Sequence, residues 1–230
     1  MTSIEPLYDK QCTCLLCQTP FTTKKVRSRF VKVTSYDTDF LPYYSEHNPL
    51  LYYINVCPSC GFSFHNDTVP YFSQEGKMLL IEKVCSQWVP QSYSGERSIE
   101  DSIKTHKLAS YCAILRKEKH VMIAGLYLRL AWHYRMLHND IQEMRFLNLA
   151  LYEYELSYST GDYSGTTVSE LRTIYLIADL SRRTNKLEEA TRYYSKVIEQ
   201  QSRTTEPQII KLAKESWQEM REKQQTLLAE

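Results

Sequence analysis

Hydrophobic residues follow two different patterns along this 230-residue chain. Up to about residue 70, short runs of β-branched and aromatic residues at 26–33 and 51–56 predict strands. Between these runs, Asp37, Asp39 and the Asn48-Pro49 dipeptide are typical of turns. From about residue 72 the apolar spacing becomes three to four residues, as in amphipathic helices. The change predicts a β lobe over residues 1–70 and an α-helical domain over residues 71–230.

The helical part predicts about seven helices, and several of their ends are marked in the sequence. Ser98 and Asp101 have the spacing of a capping box, and Pro207 is placed to start the last helix. Four side chains on three of these helices are predicted to face the core: Met78, Ile81, Tyr111 and Met144. The expected fold class is therefore mainly α with a small β lobe.

A faint internal repeat relates two of the helical segments. Residues 130–135 precede an Asn-Asp turn and residues 177–183 precede Asn185, at an offset of 46 to 47 residues. In the second segment, Ala178, Ala190 and Tyr194 match positions that let paired helices approach closely in tetratricopeptide (TPR) hairpins. The repeat predicts TPR-like stacked hairpins, with an irregular helical bundle as the alternative.

Two Cys-x-x-Cys pairs carry the strongest chemical signal in the sequence, Cys14 with Cys17 and Cys57 with Cys60. Each pair can offer two thiolates from a tight turn, and two pairs complete a tetrahedral set for zinc. A redox Cys-x-x-Cys normally occurs once, at a helix start, and a catalytic zinc usually has His or carboxylate ligands. We therefore predict a closed structural zinc site in a zinc-ribbon-like lobe. Iron, which four thiolates also bind, is the less favoured alternative.

The number of cysteines and the first residues of the chain indicate the cellular location of the protein. The chain has seven cysteines, an odd number that argues against a disulfide framework and for a reducing environment. Cys12 and His65 lie close enough in sequence to leave open whether either joins the metal ligands. The first residues lack the pattern of a signal peptide, and the most apolar helical stretch contains Arg129. The expected location is the cytoplasm, without a membrane partner.

Charge leaves one alternative function open. The net charge of +1 predicts no general attraction to nucleic acid, but one short segment is basic. Its basic residues are Lys24, Lys25, Arg27, Arg29 and Lys32. On a zinc-ribbon strand over residues 24–32 they would contact phosphates, and they therefore define a possible nucleic-acid site. The alternative is a solvated strand face.

Aromatic and arginine side chains on the helices suggest an interaction groove, since such residues recognise peptides and carboxylates. The candidate groove residues are Tyr127, Trp132, Tyr134, Arg135, Arg182, Arg183 and Tyr194. The alternative is polar packing between helices. We expect a non-enzymatic protein- or peptide-interaction module with a structural zinc ion and no catalytic residues. A metal-centred enzyme or redox protein is less favoured.

Several motifs together resemble one known family. They are Cys14-x-x-Cys17, Asp37-Thr38-Asp39, residues 48–62 with their Cys-Pro-Ser-Cys-Gly-Phe ending, residues 130–135 and residues 175–183. The chain resembles a bacterial, mostly Firmicute, family of uncharacterised cytoplasmic proteins known only as a domain of unknown function. The resemblance implies an N-terminal four-cysteine, zinc-ribbon-like element joined to TPR-like helices. It implies no activity, because the family has no established one.

Overall fold

The computed structural model describes the backbone of residues 4–229 and the side chains of residues 4–226. The strands form three antiparallel hairpins: β1 (Leu7–Thr13) with β2 (Pro20–Val26), β3 (Val33–Tyr36) with β4 (Pro42–Tyr44), and β5 (Asn55–Val56) with β6 (Ser63–Phe64). The helices are α1 (Gln74–Lys83), α2 (Ile99–Leu115), α3 (His120–Met136), α4 (Asp140–Thr160), α5 (Glu170–Arg183), α6 (Leu187–Glu199) and α7 (Pro207–Ala229). The predicted fold class, mainly α with a small β lobe, is confirmed.

The predicted strand over residues 26–33, and with it a continuous basic strand over residues 24–32, is wrong. β2 ends at Val26, and Ser28–Phe30 form a 3₁₀ turn before β3 begins. The turn is held by backbone bonds from the Phe30 amide to the Arg27 carbonyl, at 2.9 Å, and from the Val31 amide to the Ser28 carbonyl, at 3.1 Å. These local hydrogen bonds replace the strand pairing that the β-prone composition suggested.

The second predicted strand, residues 51–56, is only partly present. Pro49–Tyr52 form a 3₁₀ turn, and only the last two residues form β5. The side chain of Asn48 accepts a hydrogen bond of 2.9 Å from the Leu50 amide, so it caps the turn. Asn followed by Pro favours such a helical start over a strand.

The chain folds into two compact units that alternate along the sequence. Unit 1 contains the residues up to 36, residues 42–118 and residues 132–139; unit 2 contains residues 37–41, residues 119–131 and the residues from 140 onward. The predicted domain boundary near residue 70 stays a prediction. Within unit 1, however, side chains from α1 and α2 share a core with the β hairpins.

The core of unit 1 is formed by Cys14, Phe21, Cys57, Cys60, Phe62, Phe64, Leu80, Val84 and Cys112. α1 therefore packs through Leu80, and the chain just after it packs through Val84. The prediction that Met78 and Ile81 face inward is wrong, because they are 62% and 49% exposed. Tyr111 on α2 and Met144 on α4 are also exposed, contrary to prediction. The capping box at the start of α2 is confirmed.

Four helices end in the same way. Near the ends of α2, α3, α4 and α5, one residue has a positive φ: Lys117 at 56°, His138 at 51°, Gly161 at 71° and Asn185 at 62°. In each case the next amide bonds back to the carbonyl five residues earlier, at 2.8–3.2 Å. His138 and Asn185 are separated by 185 − 138 = 47 residues, which agrees with the offset of the sequence repeat. The TPR-like assignment itself stays a prediction.

His138→Gly is expected to stabilise the protein by about 0.5–1 kcal/mol, because glycine adopts a positive φ without the strain of a side chain. His138 is exposed, so the change removes no buried contact. Gly161→Ala is the reverse control and should destabilise by about 1 kcal/mol, since a Cβ there meets no atom within 4 Å and only the backbone conformation opposes it. Urea unfolding measures both changes, and a less stable His138→Gly protein would contradict this account.

Among the described residues, no helix combines the length and the apolar character that crossing a lipid bilayer requires. The longest helices, α4 and α7, both carry charged residues along their length.

Candidate metal centre

The four cysteines predicted as metal ligands lie together in unit 1. Their sulfur atoms are all within 4.8 Å of one another. The closest approaches, each 3.6 Å, join Cys14 to Cys60 and Cys17 to Cys57. Each close pair thus combines one cysteine from each Cys-x-x-Cys motif. The sulfurs are too far apart for disulfides, which need about 2.05 Å, and all four are free cysteines.

Two turns with matching hydrogen bonds hold these cysteines, one between β1 and β2 and one between β5 and β6. In the first, the Cys14 amide bonds to the Thr19 carbonyl and the Gln18 amide to the Cys14 carbonyl, both at 3.0 Å. In the second, the Cys57 amide bonds to the Phe62 carbonyl at 3.0 Å and the Gly61 amide to the Cys57 carbonyl at 2.9 Å. The two motifs therefore form equivalent structures 43 residues apart (57 − 14).

The spacing of the sulfurs fits a tetrahedral metal ion. In a zinc–thiolate site each sulfur lies about 2.3 Å from the metal, which gives sulfur–sulfur edges of about 3.8 Å. The observed closest distances of 3.6 Å and the 4.8 Å limit bracket that value. Four sulfur donors suit zinc and iron alike, so the geometry defines a metal site without selecting between the two ions.

The thiol pKa values follow from the two close pairs. A hydrogen bond from Cys60 lowers the pKa of Cys14 to about 5, against the opposing effect of burial. The same bond raises the pKa of Cys60. Burial raises the pKa of Cys57 to about 11. The cluster therefore resists full deprotonation unless a cation compensates the charge, and metal binding should release protons.

Three of the four cysteines belong to the core of unit 1, and the fourth lies at its surface. Cys14 and Cys57 are 0% exposed and Cys60 is 7% exposed, whereas Cys17 is exposed. The three other cysteines also belong to this region: Cys112 is part of the core, and Cys12 and Cys85 pack against it. From the sequence, Cys85 and Cys112 were interpreted as small apolar residues, and their proximity to the metal ligands was not predicted.

Trp88 covers the second of the two turns, a contact that the sequence gave no means to predict. Its indole nitrogen donates a hydrogen bond of 2.8 Å to the Pro58 carbonyl. Gly61 has a φ of +73°, and a Cβ built on it would lie 2.4 Å from a ring carbon of Trp88. Only glycine therefore meets both the backbone conformation and the close contact at this position.

Gly61→Ala is expected to destabilise unit 1 by about 2–4 kcal/mol, because a positive φ and an overlap with Trp88 add together. The matched control is Gln18→Gly at the equivalent position of the first turn, where φ is 62°. We expect that control to change stability by less than about 1 kcal/mol. Thermal unfolding followed by tryptophan fluorescence measures both, and equal effects of the two changes would contradict the requirement for glycine at position 61.

His65 and Cys12 take other positions. The close set of sulfur ligands contains only the four cysteines among the residues that the structure describes. Nδ1 of His65 accepts a hydrogen bond of 3.2 Å from the Asp67 amide, and its ring stacks on Tyr53 at 5.6 Å. Cys12 lies in β1 opposite Phe21.

The residues of the possible nucleic-acid site are mostly engaged within the fold. Lys24 pairs with Asp9 at 3.0 Å and Lys32 with Glu46 at 2.8 Å. The remaining three contact other groups: Lys25 donates to the Tyr52 carbonyl, Arg27 donates to the Glu5 carbonyl at 3.1 Å, and Arg29 lies over the Phe30 ring. Burial, followed by repulsion from Arg97 and Lys10, lowers the pKa of Lys25 to about 8.

Of the seven candidate groove residues, three are buried and four are half-buried. Within unit 1, Trp132 and Tyr134 are buried and Arg135 is half-buried. Within unit 2, Tyr194 is fully buried, and Tyr127, Arg182 and Arg183 are half-buried. The groove as a binding site stays a prediction.

Unit 2 contains a buried carboxylate that the sequence did not single out, Asp179 on α5, which is 0% exposed. Its Oδ1 accepts hydrogen bonds from Arg182 at 2.7 Å and from the Tyr194 hydroxyl at 3.1 Å. Its Oδ2 accepts from Arg183 at 2.8 Å and from the Thr38 hydroxyl at 3.1 Å. Burial opposes ionisation, but the two arginines outweigh it and lower the pKa of Asp179.

The network around Asp179 fixes the turn at residues 37–41. Arg183 also binds the Asp37 carboxylate, and the Tyr175 hydroxyl donates to the Thr38 carbonyl at 2.8 Å. The Asp39 carboxylate accepts from the Leu41 amide at 3.3 Å. These contacts support the interpretation of Asp37 and Asp39 as turn residues and give the arginine pair a structural role in unit 2.

The fold and the site define a class: a mainly α-helical protein with a small β lobe and a four-cysteine cluster able to hold a metal ion. Residues 7–220 match the model of a family described as "Uncharacterized protein conserved in bacteria (DUF2225)". Since the match covers most of the chain, the protein belongs to this family, and the resemblance seen in the sequence motifs is confirmed at that level. No curated protein and no solved structure matches the chain.

Proposed function

We propose that this protein is a non-enzymatic interaction module whose first unit is held together by a structural zinc ion. The observation that supports the structural role is that Cys14, Cys57 and Cys60 belong to a shared core, with the sulfur of Cys17 within 4.8 Å of theirs. A site closed by four thiolates leaves no position for a substrate. Zinc is the ion that such sites most often hold in a reducing compartment.

An exposed apolar stripe on α4 carries the interaction part of the proposal. Ile141, Met144 and Tyr152 are 82%, 43% and 58% exposed. With Asn148, which is also exposed, they follow a spacing of three to four residues and so share one face of the helix. A row of exposed apolar side chains on one helix face is typical of a surface that binds another protein.

The packing of unit 2 is compatible with helical hairpins that present such a face. α5 and α6 are joined by three residues and pack on each other, and α7 packs on both. The positions that a TPR hairpin needs to be small or tightly packed, Ala178, Ala190 and Tyr194, are fully buried. TPR-like stacking therefore belongs to the proposal, as the scaffold of the α4 stripe.

Affinity capture from the native host tests the interaction role. An Ile141→Ser/Tyr152→Ser protein should lose a partner that the wild-type protein captures in near-stoichiometric amount. Glu219→Gln is the matched control, because Glu219 is exposed on α7 and not on the stripe of α4. We expect the control to keep the partner. Equal capture by all three proteins would reject the stripe as the binding surface.

Metal analysis of the purified protein tests the zinc part. One zinc ion per chain is expected, with no visible absorption. A coloured protein with one iron ion per chain would instead support the alternative that the four thiolates bind iron. A protein that folds normally and contains no bound metal would refute a structural metal site.

Nucleic-acid binding is the weaker proposal, because only Lys24 and Lys25 of the five basic residues lie in β2 and the basic residues contact groups of the fold. It predicts an affinity for single-stranded nucleic acid that falls steeply as salt increases. Lys32→Gln and Arg29→Gln should then weaken binding. Absence of any salt-dependent binding would remove this alternative.

A further inference from the structure

We propose that Cys17 is the reactive thiolate of the four-cysteine centre, the point where electrophiles and hydroperoxides modify the protein and start the release of the metal. The inference rests on the metal site proposed above and adds a modification site to it. Three features support the inference: Cys17 alone is exposed, its hydrogen bond differs from that of Cys14, and its neighbour across the cluster can complete a disulfide.

Exposure is the first difference. Cys14 and Cys57 are fully buried and Cys60 nearly so, whereas Cys17 is exposed. A thiolate must be reached by its reaction partner, so thiol modification follows access as well as charge. Among the four ligands, only Cys17 offers this access.

Hydrogen bonding is the second difference. The sulfur of Cys14 accepts a bond from the Cys17 amide, at 3.5 Å. Such N–H bonds withdraw charge from a thiolate and make it a weaker nucleophile.

Cys17 is held differently, by a side chain. Its sulfur lies 3.2 Å from the Thr19 hydroxyl. When Cys17 is a thiolate, this hydroxyl is the donor. A single hydroxyl can rotate away, which a backbone amide in a fixed turn cannot do, so the charge on Cys17 remains available for reaction.

The third feature is a neighbour that can complete a disulfide. The Cys17 thiolate attacks one oxygen of a hydroperoxide; an S–O bond forms, the O–O bond breaks, and the departing alkoxide or hydroxide takes a proton from water. The Cys57 sulfur, 3.6 Å from that of Cys17, then attacks the sulfenic sulfur and expels hydroxide. Two thiolates are oxidised and the hydroperoxide is reduced, and the ion loses two of its four ligands.

Alkylation of the metal-loaded protein tests the proposal. With one equivalent of N-ethylmaleimide, peptide mass mapping should find Cys17 modified about tenfold faster than the half-buried Cys12 and Cys85. A chromogenic zinc indicator should report metal release at the same rate. First labelling at Cys12 or Cys85, or labelling of Cys17 without metal release, would overturn the proposal.

A variant of the hydroxyl donor separates reactivity from folding. Thr19→Val should keep one metal ion per chain and increase the alkylation rate of Cys17 several-fold. Thr22→Val, at a half-buried position in β2, is the matched control and should leave that rate unchanged. Equal rates in both variants would overturn the role given to the hydroxyl bond.

Hydrogen peroxide provides the second reagent. We expect a Cys17–Cys57 disulfide as the first product, and a first disulfide between any other pair would contradict the geometry. Metal analysis before treatment distinguishes the two proposals. A protein without bound metal refutes the structural zinc site, whereas a metal-loaded protein with an unreactive Cys17 refutes this inference alone.

Discussion

Cys57→Ser is expected to abolish metal binding and to unfold unit 1. Cys57 is fully buried, and its sulfur lies 3.6 Å from that of Cys17 at the centre of the cluster. A serine hydroxyl is a poor zinc ligand, and the buried thiols of Cys14 and Cys60 would remain without a cation. In small structural sites, zinc binding contributes about 10–16 kcal/mol to the free energy of folding. That is as large as the total stability of most domains. Metal content and tryptophan fluorescence measure the two effects.

The matched controls are two cysteines of the same region that are not in the close set. Cys12 and Cys85 pack against the core without belonging to the sulfur cluster. Cys12→Ser and Cys85→Ser should each keep one metal ion per chain and lose no more than about 1–2 kcal/mol of stability. A Cys57→Ser protein that keeps its metal and unfolds at the wild-type temperature would contradict the structural role of the site.

The cysteine cluster could be predicted because the spacing of the cysteines along the sequence is itself typical of a metal site. Two Cys-x-x-Cys pairs predict a tetrahedral site whatever lies between them. The equivalence of their turns was harder to foresee. The position with positive φ is Gly61 in one turn but Gln18 in the other, and glutamine gives no signal for that conformation. The matching backbone bonds become visible only once the hairpins are folded.

The buried faces of the helices were less predictable, and α1 shows why. Residues 78–81 read Met-Leu-Leu-Ile, four apolar residues in succession. Such a run has no polar face, so a period of 3.6 residues cannot choose which side packs inward. In the structure Leu80 is buried while Met78 and Ile81 are exposed. Which face of α1 is buried depends on the other residues of the core of unit 1, which are distant in sequence.

Asp179 illustrates the same limit for polar residues. Its arginine partners are three and four residues away on one helix, a spacing that normally indicates an exposed ion pair. Its burial depends on Thr38, which lies 141 residues earlier in the chain. Arg182 and Arg183 were assigned to a possible groove because the sequence alone does not show that the turn at residues 37–41 contacts them.

Asp179→Asn is expected to destabilise unit 2 by about 3–5 kcal/mol, the usual cost of removing one partner from a buried ion pair. The change leaves Arg182 and Arg183 half-buried beside a neutral amide. It also places an amide group, which can donate, against their N–H groups. Urea unfolding measures the loss. Asp37→Asn is the matched control: its carboxylate also binds Arg183 but is partly exposed, so a loss of no more than about 1 kcal/mol is expected.

The pH dependence of stability tests the same interaction without relying on the variant alone. The pKa of Asp179 is lowered in the folded protein because the arginines outweigh the effect of burial. Its contribution is therefore fully present above the unfolded value of about 3.9 and is lost as the pH falls through the lower folded value. Below about pH 4 the wild-type protein should lose stability more steeply than Asp179→Asn. Parallel curves for the two proteins would show that the Asp179 carboxylate is not the charge that holds α5 and the 37–41 turn together.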